Sequence, residues 1–127
     1  MCLYTTQKRA GYTDKPIVCY KVVRKYTSIS VFTSMFRDFK YELGKLRREK
    51  SFKCMPRESG AVYYGFHSYR TIKEARTWAG SMDIILKCEI PTGSRFYKSC
   101  NDTEYCSNRI RVLAWRRAKE TKWHFKK

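Results

Sequence analysis

The sequence predicts a single α+β domain with a mixed or mostly antiparallel sheet and one or two helices. Three observations predict it. Several runs of 5–8 residues concentrate apolar and β-branched side chains. One short stretch carries stop and start signals for a helix at both ends. The chain has 127 residues, 43% hydrophobic and 16% aromatic, enough for one modest core and too apolar for wholesale disorder.

Pro16 opens the first run, Ile17-Val18-Cys19-Tyr20-Lys21-Val22-Val23, which is apolar on both faces in the manner of a central strand. Lys21 is the exception in it, and a lysine there must snorkel, pair or point into a polar cleft. Residues 27–50 fit two patterns. Phe32, Phe36, Phe39, Leu43 and Leu46 fit a helical face, while Phe39, Tyr41 and Leu43 before Gly44 fit a short strand. The expectation is a loop or short helix, then a strand over 39–43. A basic loop follows over 47–57, broken by Pro56. Residues 62–67 read as a strand. Thr71 caps the next helix, with Glu74 completing a capping box and Gly80 suiting the stop. Ile72, Ala75 and Ala79 share one face of that helix.

Asp83 to Ile90 is the clearest strand, with Ile84, Leu86, Cys88 and Ile90 on one face and Lys87 and Glu89 on the other. Pro91-Thr92-Gly93 supplies a turn. Cys100 and Cys106 bracket a polar stretch and fit positions across a hairpin. Arg109 to Trp115 is the last strand. Its alternation places Ile110, Val112 and Ala114 inward, and Arg109, Arg111, Leu113 and Trp115 outward. The domain is thus expected over 1–115, with 116–127 a basic aromatic tail that is either a helix end or an arm.

Lysine and arginine number 28 against 11 acidic residues, a formal charge of +17. Such a field attracts polyanions, above all nucleic acid, and next an acidic protein. Two clusters hold most of it. The first includes Arg47, Arg48, Lys50 and Lys53. The second includes Arg109, Arg111, Arg116, Arg117, Lys119 and Lys122, interleaved with Trp115 and Trp123. Cations beside aromatic rings suit single-strand or RNA binding. Neither cluster matches a named nucleic-acid motif, so backbone-driven contact is expected. Trp115 also fits core packing at a strand end. No apolar run reaches the roughly 18 residues of a membrane span, and the first residues lack a signal-type stretch. Six cysteines without zinc spacing are then expected as free thiols in a cytoplasmic protein that does not engage membranes. No metal site is expected.

The stretch Gly65-Phe66-His67-Ser68-Tyr69-Arg70, the helix containing Ala75, and Ile85 to Ser94 with its Pro-x-Gly turn together resemble the middle of ADP-ribosyltransferase domains. The same short blocks resemble small proteins of bacteria and their phages. The resemblance spans about half the chain. It implies an ADP-ribosyltransferase-like fold and a pocket for NAD. Carried over by position, Lys21 stands where the family has a cofactor-holding arginine or histidine. Ser68 matches the first serine of the Ser-Thr-Ser motif, which Tyr69 and Arg70 then leave. His67 beside it fits either a ribose contact or base, or a structural hydrogen bond. The family's catalytic glutamate falls near Arg109, where the chain reads Cys106-Ser107-Asn108-Arg109, and Glu104 is the one nearby substitute. Without that carboxylate the developing oxocarbenium ion loses its stabiliser. Charge and resemblance together lead to the expectation of a non-enzymatic basic protein, of phage or viral type by the resemblance, that binds nucleic acid or a nucleic-acid-bound host complex and modulates host defence. It carries no cofactor on this reading. The alternative is a diverged NAD-dependent transferase or a nucleotide-sequestering protein.

Overall fold

The computed structural model describes residues 3–7, 10–28, 31–34, 40–49, 61–62 and 65–125. In chain order the elements are β1 (Leu3–Tyr4), β2 (Gly11–Tyr12), β3 (Ile17–Ser28), β4 (Val31–Ser34), β5 (Lys40–Glu42), β6 (Leu46–Arg48) and β7 (Ala61–Val62). There follow β8 (Phe66–Tyr69), α1 (Ile72–Trp78), β9 (Ile84–Ile90), β10 (Arg95–Lys98), β11 (Glu104–Ser107), β12 (Arg109–Arg117) and β13 (His124–Phe125).

This architecture corrects the expected fold class. An ADP-ribosyltransferase-like α+β fold does not fit described residues that form mostly antiparallel sheet, with one seven-residue helix among them. The short blocks behind the resemblance are a strand end, a capped helix and a turn. Those local units recur wherever a strand meets a helix, so they carry little fold information.

The alternation of apolar residues does build the predicted central strands. β3 lies between β9 on one edge and β8 and β4 on the other, and β9 lies between β3 and β12. Strand β4 pairs with β3 and then with β5. Segment 31–34 is therefore a strand rather than the expected loop or short helix, and 40–42 and 46–48 are strands, the first within the strand expected over 39–43. Beyond β5, Leu43 bridges Val112 in parallel fashion, with the Gly44 amide donating to the Val112 carbonyl at 2.7 Å. The path β3–β9–β12–β5–β4–β3 is thus a closed ring. A ring of five strands cannot close with antiparallel pairs alone, because alternating directions clash at the last joint. The parallel bridge at Leu43 is that joint. Gly44 then takes φ of 79°, open to glycine at little cost, and the chain reverses so that β6 runs antiparallel along β12. Closure pairs each strand of the ring on both sides, while the wider sheet ends at β13 and β2.

The ring encloses Cys19, Val23, Tyr41, Leu43, Ile84, Leu86, Cys88, Ile90, Ile110, Val112 and Trp115, with Phe66 and Tyr105 packed against them. Trp115 belongs to this interior, contrary to the strict alternation. A register shift between Val112 and Ala114 inserts one residue, and every side chain beyond it changes face. Ala114 then stands opposite Lys87, Trp115 opposite Leu86, and Arg116 opposite Ile85.

Two smaller groups flank the ring. Helix α1 lays Ala75 on the outer face against Ile85 and Tyr69, beside Tyr20, Val22, Ala118 and Trp123. It is capped as expected, the Thr71 hydroxyl accepting from the Glu74 amide at 3.2 Å. A branch of β8, β11, β10 and β2 extends from β3, with Leu3, Tyr97 and Cys106 as its own small core. Cys100 does not face Cys106 across this hairpin. It is exposed in the turn, and Cys106 is buried opposite Tyr97. Residues 118–125 return to the sheet, with β13 paired to Ala114 and Trp115. No described helix is long and apolar enough to cross a membrane.

Candidate functional site

Strand geometry separates the four residues that the resemblance grouped around a cofactor. Along β8, Phe66 and Ser68 face the ring, while His67 and Tyr69 face the other way. Lys21 shares the inward face of β3 with Cys19 and Val23. It is 8% exposed, its ammonium donating to the His67 carbonyl and standing 5.1 Å from the Tyr41 ring centre. Lys21 and Ser68 are therefore brought together in the packed interior. His67 meets that pair through its backbone oxygen, and its ring turns to Cys106, Nε2 to Sγ 3.8 Å. The Ser68 hydroxyl adjoins the Cys19 thiol without making a well-formed hydrogen bond.

The interior suppresses ionisation of its acids. Burial pushes the Cys19 thiol up to about 11 against a usual 9.0, and pushes Cys88 well above its ordinary value. Burial likewise raises the Tyr41 phenol, outweighing the nearby Lys21 ammonium. Glu104 stands opposite Tyr69 on the outward face, away from Lys21 and Ser68. Burial and then the charge of Glu74 hold its carboxyl above the usual range. The Tyr69 phenol is pushed up to about 12 by burial, Glu104 and Glu74.

The basic residues form a more connected surface. The outer face of β6 and β12 is built by register: Arg48 stands directly opposite Arg109, and Leu46 opposite Arg111. Arg109 and Arg111 alternate with the buried Ile110 and Val112, so both project outward. The Arg109 guanidinium is anchored on the turn before β10. It donates from Nη2 to the Thr92 carbonyl at 2.6 Å and from Nε to the Ser94 hydroxyl at 3.2 Å. Arg111 reaches Glu89 on the neighbouring strand at 3.7 Å. Arg47 stands opposite Ile110, on the inward side, with its charge close to Tyr41. Lys50 and Lys53 lie outside the described residues.

The second cluster divides in the same way. Arg117 is exposed, 3.5 Å from Glu120 and 5.6 Å from the Trp115 ring centre. Lys119 and Lys122 are exposed on the segment between β12 and β13. Trp123 is half-buried over Arg116 and 6.2 Å from the Tyr20 ring. Arg116 itself is buried on the outer face of β12. Sequence reading missed Arg76 of α1, whose charge acts on Arg116. A lone arginine in a seven-residue helix gives no signal of what lies under it. Among the described residues no group of His, Cys, Asp and Glu could hold a metal ion. Comparison with protein-family models, curated proteins and solved structures finds no match.

Proposed function

We propose that the protein is a basic nucleic-acid-binding protein, acting inside the cell on nucleic acid or a nucleic-acid-bound complex. Arg48, Arg109 and Arg111 form the contact face. One observation carries the reading. Arg48 and Arg109 are direct cross-strand neighbours on a single outer face, with Arg111 the next outward residue. Like charges directly opposite each other weaken a sheet. A chain retains such a pair at lower cost where a polyanion neutralises it. The backbone carbonyl and hydroxyl that hold Arg109 fix its fork without cancelling its charge. Glu89 meets this face through Arg111. The formal charge of +17 supplies long-range attraction to the same partner. Contacts of this kind go to phosphates, so binding is weakly sequence-specific.

Fluorescence anisotropy with a labelled single strand and a labelled duplex tests this. Three phosphate contacts predict a slope of log K against log salt of roughly −2 to −3. Arg48→Glu is expected to weaken binding about tenfold or more without lowering the melting temperature, because the side chain is exposed and the change replaces a like-charge pair by an opposite one. Absence of binding even at low salt would overturn the reading and direct the basic face to an acidic protein.

A further inference from the structure

Arg116 is 4% exposed, yet its Nε and Nη2 have no hydrogen-bond partner. These two nitrogens are not an arbitrary pair. They form one edge of the guanidinium fork, the edge that takes two oxygens of a carboxylate or phosphate in parallel. A buried guanidinium edge without a protein partner is costly to the fold. The charged and titratable neighbours that act on Arg116 are Arg76 of α1 and the Tyr20 phenol. The charge that acts on it is therefore a second cation, which worsens the burial. The planar face of the group is covered by Trp123 at 5.0 Å, leaving the edge as its unused surface.

We propose that this outer face carries a phosphate-binding site, in which the Nε–Nη2 edge of Arg116 takes two phosphate oxygens and Arg76 supplies a second positive charge. A phosphate fits better than a carboxylate because two cations meet there and a phosphate brings more negative charge. The site lies five residues beyond Arg111, roughly 15 Å along the strand, and does not depend on the Arg48–Arg109–Arg111 face. Entry requires the segment under Trp123 to lift. Residues 119–122 are exposed, and β13 is held by two register pairs, so a short local opening suffices. Tyr20 lines the same corner through its contact with Trp123.

The test uses the full chain and inorganic phosphate at constant ionic strength, read by thermal melting and by tryptophan emission. Wild type is expected to gain melting temperature saturably. Arg116→Met, which keeps volume without charge, is expected to melt cooperatively and lose the phosphate response. Arg116→Lys keeps the charge but not the fork, and is expected to bind at least tenfold more weakly. Arg76→Ala, at an exposed position, is expected to bind several-fold more weakly. Parallel titrations with a nucleoside monophosphate and a single-stranded oligonucleotide identify the source of the phosphate. Loss of oligonucleotide affinity in Arg116→Met assigns it to a nucleic-acid backbone; loss for the monophosphate alone assigns it to a small ligand. Absence of a saturable response in wild type overturns the site, as does a response retained in Arg116→Met. Should that variant fail to fold, an unchanged response in Arg76→Ala does the same.

Discussion

Lys21 shows why a residue's type is not its role. Its neighbours in sequence mark a central strand, and period-two alternation then places it inward between Cys19 and Val23. A lysine on that face satisfies its ammonium through the His67 carbonyl and the Tyr41 ring, both supplied by other strands. That contact belongs to the packed interior, where Leu86 stands directly opposite Lys21. The same burial governs the thiols. At about 11, the Cys19 thiol holds roughly a hundredfold less thiolate than an ordinary cysteine at any pH below 9. Cys88 and Cys106 are equally enclosed, and Cys100 is exposed. Native-state alkylation at pH 8, followed by peptide mapping, is therefore expected to label Cys100 while Cys19, Cys88 and Cys106 stay protected. Rapid labelling of Cys19 would show that the ring is open in solution.

At the scale of elements, the bulge between Val112 and Ala114 decides that Trp115 faces the ring interior. Unbroken alternation sends Trp115 outward beside Arg111. The inserted residue sends it inward opposite Leu86, with its ring stacked 4.3 Å from His124. Trp115→Ala is accordingly expected to cost about 3 kcal/mol or more, as a core truncation does, where an outward tryptophan would cost under about 1 kcal/mol. Chemical denaturation measures the difference. The strands with strong local signals were legible: β3, β9 and β12, and the capped helix α1, are where periodicity and Thr71 place them. The short strands were not. β6 is three residues of Leu46-Arg47-Arg48 and β10 is Arg95 to Lys98, with too few apolar residues to show a period. Their state is set by partners distant in sequence, as Arg48 by Arg109 and Arg95 by Tyr12. The same limit hid the candidate sites. Arg48 and Arg109 were named from composition, but their adjacency exists only once β6 folds along β12. Arg76 joins Arg116 only through the packing of α1 on the sheet.

The whole molecule sets one further property, its response to alkali. Closing the ring places Cys19, Cys88 and Tyr41 where burial raises each above its ordinary value. For Cys19 the change is from 9.0 to about 11. An acid whose folded value lies above its unfolded one keeps its proton in the folded chain while the unfolded chain releases it. The unfolded state then binds fewer protons, so stability falls as pH rises. The contribution is intact below pH 9, declines as pH climbs from there, and is fully lost near pH 11. For Cys19 alone the span corresponds to about 3 kcal/mol, and Cys88 and Tyr41 act in the same direction. An opposing effect runs in parallel. As lysines lose charge above about pH 10, self-repulsion in a chain of +17 relaxes and favours the compact state. The two are separated by comparing wild type with Cys19→Ala/Cys88→Ala under reductant. Melting temperatures at pH 7.5, 9, 10 and 11 are expected to fall more steeply in wild type, the two curves converging at the alkaline end. Parallel curves over that range would show that these thiols titrate alike in both states, and so are not held in a dry interior.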